Sequence, residues 1–432
     1  MKTLIKSARI LDPSTMDDRK ADLLIDGETI ASIGDGLADS EAQVIDADGW
    51  WLIPGLIDIH SHLREPGAEG KETIETGTRA AAAGGITSVV CMANTNPPVD
   101  NHTGVDFVLD RARETGYVRV YPVGAATKGM EGNELAPIGE MLAAGAVAIT
   151  DDSKSIDDSY VMMRVMEYTT IWQVPVIVHC EDTHLTQGAY VNEGIYSSVL
   201  GLRGWPREAE SIHVARNLLL AKQTGAHIHI AHVSCADSVD LIRFYRSKGV
   251  KVTAETTPQH LLLTDQAIDQ FNTLAKVNPP LRTAEDQEAL FDGLRDGAID
   301  CIATNHAPHT QADKNQDLAH APAGVIGFET FLPLLFGPIA QRLGFEPLQL
   351  LKLVTSRPAT VMGLPGGSIE AGGPADLVLW NPAPQSAIDP ESFFSKARNT
   401  PFGGWITQGR VETTFVGGHC KHQAGPLLIP SP

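Results

Sequence analysis

Eight short apolar runs recur through the middle of the chain, each followed by a polar or Gly-rich loop and then a helical pattern. The runs cover residues 56–59, 87–92, 118–123, 146–150, 174–178, 227–231, 250–254 and 299–303. Helical periodicity between them is clear at residues 73–83, 159–171, 209–223 and 236–247. Eight strands alternating with helices predict a parallel (β/α)8 barrel, whose active site lies at the C-terminal ends of the strands. An open doubly wound sheet is the alternative.

The two ends of the chain differ from this middle part. Short β-type runs separated by Asp-Pro, Asp-Gly and Gly-Asp turns occur at residues 4–10, 21–25, 29–33 and 44–47, and similar runs return at 375–380 and 410–416. Both ends therefore look like parts of one β-rich module. We predict a composite small domain from residues 1–50 and 361–432, and a barrel domain from residues 51–360.

Composition excludes several classes of protein. The 432 residues carry 33 basic and 53 acidic side chains, a net charge of −20, which argues against a nucleic-acid binder. No apolar run approaches the roughly 20 residues of a membrane helix, and the N-terminus lacks the apolar core of a signal peptide. Five scattered cysteines suit a reducing cytoplasm better than a disulfide framework.

Candidate metal ligands follow four of the predicted strands. They are His60 and His62 after the first run, Asp151 and Asp152 after the fourth, His179 after the fifth and His232 after the sixth. Residues two apart in a strand point to the same face, so His60 and His62 can reach one ion. Four imidazoles and one bridging carboxylate suit two divalent ions that share a hydroxide and polarise a carbonyl oxygen. Ligands without thiolate favour zinc, with manganese and cobalt as alternatives.

Two polar residues near these loops predict an anionic substrate. Arg64 lies two residues beyond His62, and Asn94 follows the second run. An arginine can hold a carboxylate through a bidentate fork, and an asparagine can add a further hydrogen bond. Together they predict a carboxylate clamp at the mouth of the barrel.

Other residues of the same types are predicted to be structural. His227 and His229 alternate with isoleucines and point to the opposite face from His232. His306 points away from its neighbour Asn305 on an extended chain. Cysteines near the candidate ligands do not form a Cys-x-x-Cys pair, so we do not expect thiolate chemistry.

Seven motifs together carry a resemblance to a known family. They are His60-Ser61-His62-Leu63-Arg64, Met92-Ala93-Asn94-Thr95, Thr150-Asp151-Asp152, His179-Cys180-Glu181, His232-Val233-Ser234, Asn278-Pro279-Pro280-Leu281-Arg282 and His306-Ala307-Pro308-His309-Thr310. The chain resembles the dihydroorotases of the class I bacterial type, in the amidohydrolase superfamily, from about residue 3 to residue 420. The resemblance implies a distorted TIM barrel with a small β-sandwich. It also implies reversible cyclisation of N-carbamoyl-L-aspartate to L-dihydroorotate in pyrimidine synthesis.

The resemblance further implies roles for individual residues. One zinc ion would be bound by His60 and His62, and a second by His179 and His232. The bridging ligand would be Asp152 rather than Asp151, because its spacing to His179 resembles that of the family. The substrate would be held at its carboxylate by Arg64, Asn94 and His309, and at its ring amide groups by Asn278 and the backbone from Pro322 to Gly324.

One position departs from the family pattern. The family has an Asp after the eighth strand, which is both a metal ligand and the proton shuttle, and this chain has Asn305. An Asn can offer a carbonyl oxygen to a metal, but it cannot take up a proton near neutral pH. We therefore expect impaired activity. Either the natural chain has a weakened or altered site, or Asn305 is a deliberate substitution.

Two other functions stay open on the sequence. A hydantoinase or allantoinase usually places a carboxylated Lys at the bridging position, and Lys154 is two residues late for that role. A non-catalytic partner of aspartate transcarbamoylase would tolerate Asn305 but has no evident need for all the metal-ligating histidines. We expect a homodimer or larger assembly.

Overall fold

The computed structural model describes residues 2–425, and in it the eight apolar runs form eight parallel strands. They are Leu56–Ser61, Ile86–Cys91, Arg119–Pro122 with its continuation Gly124–Ala125, Ile149–Thr150, Val176–Val178, Ile228–Ile230, Val252–Thr256 and Cys301–Ile302. Each strand pairs in parallel with the next one along the chain. The predicted strand positions are therefore confirmed.

The segment after the last strand returns to the first strand. The backbone N–H of His62 donates to the carbonyl of His306 at 2.9 Å. The buried Asp58 accepts the backbone N–H and the hydroxyl of Thr304 at 2.9 and 2.5 Å. These bonds join the eighth strand to the first, as a barrel requires and an open sheet does not allow.

Helices surround this barrel. They span Ile74–Ala83, His102–Thr115, Ile138–Ala144, Ser159–Thr170, Thr183–Thr186, Ile195–Leu200, Glu208–Thr224, Ala236–Ser247, Pro258–Leu262, Ala284–Asp296, Gln311–Lys314, Phe331–Leu334, Ala340–Leu343, Pro347–Lys352 and Ser356–Met362. Side-chain caps set several of their starts: Thr73 and Thr283 form capping boxes, and Asp158 accepts two backbone N–H groups. All four helical patterns predicted from the sequence are present.

Strand residues divide between two apolar cores. Ile57, Val90 and Ile177 fill the barrel interior, whereas Leu56 and Val89 face the surrounding helices. The alternation follows from the two-residue period of a strand. Because apolar side chains fill the interior, only the strand ends offer room for a polar site.

Both chain ends contribute to one eight-stranded sheet beside the barrel. Its strands are Lys2–Asp12, Asp17–Asp26, Thr29–Gly34, Gln43–Asp46, Trp51–Pro54, Leu377–Ala387, Ile406–Val416 and His419–Gln423. The strand Trp51–Pro54 connects the two ends, because it pairs with Lys2–Asp12 on one side and Leu377–Ala387 on the other. The fold class is thus a TIM-like barrel with a small β domain built from both ends. The exact domain boundaries stay a prediction, and residues 426–432 of the C-terminal range lie outside the described residues.

Among residues 2–425, no helix is both long and apolar enough to cross a bilayer. All five cysteines are free thiols, and four of them are buried.

Candidate metal centre and substrate cavity

Four imidazoles meet one carboxylate at the mouth of the barrel. Asp152 Oδ2 lies 3.4 Å from His60 Nε2 and 3.9 Å from His62 Nε2. Its other oxygen, Oδ1, lies 3.3 Å from His232 Nε2 and 3.9 Å from His179 Nδ1. The carboxylate therefore presents one oxygen to each pair of histidines. The structure brings together the five residues that the sequence proposed as ligands.

The donor atoms of this cluster fit a divalent cation. Ligand atoms of His60, Asp152 and His232 all lie within 4.8 Å of one another, and all three residues are buried. His60 Nε2 is buried without a hydrogen-bond partner. His62 donates through Nδ1 to Asn94 Oδ1 at 2.8 Å, so its Nε2 lone pair faces the oxygens of Asp152 and Asn305. Lone pairs that converge in this way need a cation between them, and nitrogen and oxygen donors suit zinc.

Two residues that orient the ligands, Glu255 and Glu181, were missed by the sequence reasoning. Glu255 accepts from His60 Nδ1 at 2.6 Å and lies 3.3 Å from His229 Nε2. Glu181 accepts from His179 Nε2 at 2.9 Å. Carboxylates that bind the far nitrogen of a ligating histidine fix its tautomer and orientation. The sequence did contain one indication of Glu255, which lies inside an apolar strand. Buried strands rarely carry an unpaired carboxylate, so a partner such as a ligating histidine could have been expected.

Electrostatics at the cluster favour a positive partner. Burial by itself lowers the pKa of His60, but the negative charges of Asp152 and Glu255 outweigh burial and raise that pKa well above its usual value. Burial raises the pKa of Asp152, but His60 and His232 outweigh it and lower that pKa well below the usual range. The carboxylate is therefore ionised, and its environment stabilises an adjacent cation.

The neighbours of Asp152 in sequence point elsewhere. Asp151 Oδ1 accepts the backbone N–H groups of Ala126 and Thr127 at 2.9 and 3.1 Å. Lys154 donates through Nζ to the carbonyl of Met130 at 3.1 Å. Asp152, and neither of these two residues, lies among the imidazoles.

A cavity of about 160 Å³ opens directly above the cluster. Its walls include His62, Arg64, Asn94, Asp152, His179, His232, Asn278, Asn305, His309, Ala323 and Gly324. A larger cavity, of about 680 Å³, lies at the opposite ends of the strands and is lined by residues such as Thr170, His227 and Thr253. Of these two cavities, the smaller one is lined by predicted metal ligands and substrate residues.

Two cavity residues favour an anion. Arg64 donates through Nε to the carbonyl of Pro308 at 3.2 Å, and no carboxylate pairs with it within residues 2–425. His309 donates through Nε2 to the carbonyl of Ala323 at 2.9 Å and accepts from Lys71 Nζ at 3.3 Å. Burial, with the charges of Arg64, Lys71 and Lys314, lowers the pKa of His309 to about 2. His309 is therefore neutral, and the local field is positive.

The remaining predicted substrate residues differ in whether they line the cavity and whether their polar groups are free. Asn278 donates to Glu181 at 3.4 Å, and its buried Oδ1 has no hydrogen-bond partner. Gly324 lines the cavity, but its N–H donates to the carbonyl of Lys276. Pro322 does not line the cavity, and its carbonyl accepts from Lys314 Nζ at 2.8 Å. The free acceptor of Asn278 can bind a substrate N–H group.

Asn305 faces the cluster, with Oδ1 at 3.2 Å from His62 Nε2. Arg64, His232 and Asn305 have φ values of 64°, 36° and 48°. Non-glycine residues adopt these left-handed conformations at a cost of about 1–3 kcal/mol each, and such strain is concentrated at functional sites. By contrast, His306 stacks on Phe328 at 3.8 Å and does not reach the cavity, as predicted.

Fold and site together define an amidohydrolase-type enzyme, and a solved structure supports that class. L-Hydantoinase (dihydropyrimidinase) from Arthrobacter aurescens matches with a TM-score of 0.88 at 25% identity, over 99% of this chain and 97% of that chain.

Sequence relatives narrow the class further. A family model described as dihydro-orotase-like matches residues 49–238. The chain is 45% identical over 425 residues to the dihydroorotase of Acetivibrio thermocellus, covering 98% of this chain and 100% of the relative. It is 46% identical over 423 residues to that of Pelotomaculum thermopropionicum, covering 98% and 99%. The chain belongs to the dihydroorotase family of hydrolases, which confirms the resemblance seen in the motifs.

Proposed function

We propose that this chain is a dihydroorotase that interconverts N-carbamoyl-L-aspartate and L-dihydroorotate, with turnover weakened by Asn305. The observation that carries the proposal is the position of Asp152, with one carboxylate oxygen toward His60 and His62 and the other toward His179 and His232. That arrangement supports two metal sites that share one carboxylate, at the base of a cavity with an anion-favouring wall.

Two zinc ions are the proposed cofactors, with Asp152 as their shared ligand. Bound there, they would supply Lewis-acid polarisation of the ring carbonyl. The chain's own residues set the position of each imidazole. Glu255 holds His60, Asn94 holds His62 and Glu181 holds His179.

The cavity walls orient the substrate. Arg64 has donors free to bind the substrate carboxylate, and a charge-assisted contact of this kind contributes about 1.5–3 kcal/mol. Glu181 accepts a hydrogen bond from the Asn278 Nδ2 group, which leaves the Asn278 Oδ1 atom free to accept a ring N–H group of the substrate. His309, neutral and held by Lys71 and Ala323, forms the carboxylate end of the cavity together with Arg64.

Proton transfer is the weak step of this site. Ring opening needs a proton at the leaving nitrogen, and Asn305 cannot carry one near neutral pH. His309 cannot replace it, because its pKa of about 2 leaves it neutral and its Nε2–H is already donated to Ala323. Low turnover with intact substrate binding is the expected result.

Two alternatives are less well supported. A hydantoinase fits the solved structure, but Lys154, the candidate for a carboxylated Lys, bonds to Met130. A non-catalytic partner of aspartate transcarbamoylase is favoured by Asn305 and opposed by the intact cluster. That association, a homodimer or larger assembly, and a cytoplasmic location stay predictions.

The test is a carbamoyl-aspartate cyclisation assay with metal analysis on the same preparation. We expect bound divalent metal, measurable but slow cyclisation, and no ring opening of hydantoin. Metal content near zero after purification in zinc-containing buffer would contradict the proposed centre. Hydantoin turnover faster than dihydroorotate turnover would favour the hydantoinase. Bound metal without any turnover would favour the non-catalytic partner.

A further inference from the structure

One wall of the substrate cavity has almost no regular secondary structure. Residues 322–326 contain a single isolated bridge, between Val325 and His306. Three residues of this wall segment, Ala323, Gly324 and Val325, nevertheless line the cavity. A segment that lacks ladder hydrogen bonds needs other contacts to hold one conformation.

Lys314 supplies two of those contacts. Its ammonium donates to the carbonyls of Pro322 and Gly324 at 2.8 and 3.2 Å. Lys314 is only 4% exposed, and within the described residues no carboxylate pairs with it, since the adjacent Asp313 pairs with Lys71. Burying an ammonium without an anion is unfavourable. Burial and the charge of Lys276 accordingly lower the pKa of Lys314 to about 7.

The N–H of Gly324 donates to the carbonyl of Lys276, and Asn399, which lies between two strands of the small β domain, supplies further contacts. Its Nδ2 donates to the carbonyls of Ala307 and Gly324, each at 3.0 Å. Its Oδ1 accepts the backbone N–H of His309 at 3.0 Å. One buried amide therefore joins the wall segment to the loop that carries His309.

The wall and His309 are in direct contact. His309 Nε2 donates to the carbonyl of Ala323 at 2.9 Å. A Cβ atom added to Gly324 would lie 2.8 Å from Ala307 Cβ and 3.0 Å from His309 Nε2. At such close approach, any displacement of the wall segment would also displace the imidazole.

We propose that Lys314 and Asn399 are positioning residues of the substrate site, which fix the wall segment and, through it, the orientation of His309. Neither residue lines the substrate cavity. The inference rests on the proposed function, because it concerns the carboxylate end of the proposed dihydroorotate cavity. It explains why a buried ammonium without an anion is retained directly behind that end.

The test uses the full-length, metal-loaded chain with the variants Lys314→Met and Asn399→Asp. Met fills a similar volume without a donor. Asp keeps the acceptor for the His309 N–H but puts an oxygen against the carbonyls of Ala307 and Gly324. Lys276→Met is the matched control, because the Lys276 ammonium binds the carbonyls of residues 318, 319 and 321, ahead of the wall segment.

Two measurements need no ligand. Amide hydrogen exchange should become faster at residues 323–326 in both variants, and the ¹⁵N signals of His309 should no longer show a single Nε2–H tautomer.

A third measurement is ligand affinity. The affinity for dihydroorotate should fall roughly 10-fold to 100-fold, a range typical of displaced positioning groups, and the affinity for uncharged dihydrouracil should change much less. The control should change these quantities far less than Lys314→Met.

Unchanged exchange and an unchanged His309 signal in the folded variants would overturn the inference. An equal loss in Lys276→Met would also overturn it, because the effect would then be general loosening of the loop. A parent chain that does not bind dihydroorotate would contradict the proposed function, while the ligand-free measurements would still decide the positioning role. If Lys314→Met does not fold, Asn399→Asp decides it alone.

Discussion

Replacing Asn305 by Asp should restore the proton capacity that the site lacks. The two side chains are nearly isosteric, and Asn305 Oδ1 already lies 3.2 Å from His62 Nε2. The backbone is held in place by the bonds of Asp58 to Thr304 and of His62 to His306. We therefore expect little change in the fold or in the positions of the metal-ligating side chains.

The size of the expected rate increase depends on whether another group in the cavity could carry the proton. His309, with a pKa of about 2, cannot substitute as a proton carrier. Glu181 is occupied by His179, Asn278 and Thr186. A positioned general acid–base contributes roughly 10² to 10⁴ in rate, or about 3 to 5.5 kcal/mol of barrier. Asn305→Asp should raise turnover by a factor in that range, in both directions, because one group serves both.

The assay is turnover of carbamoyl aspartate and of dihydroorotate by both proteins at matched metal occupancy. Substrate affinity should change much less than turnover, since Arg64 and Asn278 are unaffected. Equal rates in the two proteins would refute the reasoning, because some other group would then carry the proton. Absence of activity in both would favour the non-catalytic alternative.

Three further perturbations test the site and the fold. Arg64→Ala should weaken dihydroorotate binding by about 1.5–3 kcal/mol and dihydrouracil binding far less; calorimetry showing equal losses would exclude the clamp. Glu255→Gln should lower metal affinity roughly 10-fold to 100-fold in a chelator competition, because the carboxylate orients His60; unchanged affinity would count against that role. Burial raises the pKa of Glu329 from 4.5 to about 7, so the folded state keeps its proton to higher pH. The free energy of unfolding should therefore fall by up to about 3 kcal/mol as pH rises from about 4.5 to 7, and Glu329→Gln should flatten that slope in denaturant titrations.

Local patterns were sufficient to predict the barrel and the residues that meet at its mouth. Each strand is marked by an apolar run, and candidate metal ligands follow four of these runs at their C-terminal ends. In a parallel barrel those ends meet at one face, so His60, His62, His179 and His232 could be grouped from the sequence alone. The connection of the two chain ends through Trp51–Pro54 was not visible, because that strand merges in sequence with the first barrel strand.

Other features of the site are determined by contacts between residues far apart in sequence. Spacing could only favour Asp152 over Asp151, and the tertiary structure separates them: Asp151 accepts two backbone N–H groups, while Asp152 lies among the imidazoles. Asn94 lines the substrate cavity, and spacing could not show that its oxygen also accepts from His62.

The supporting residues were beyond the reach of sequence patterns altogether. Glu255 is 195 residues from His60, and Asn399 is 90 residues from His309. Periodicity and motif spacing report which residues end a strand, because those are local properties of the chain. Which nitrogen is held by which carboxylate, and which loop is held against which wall, is decided only when distant segments pack together.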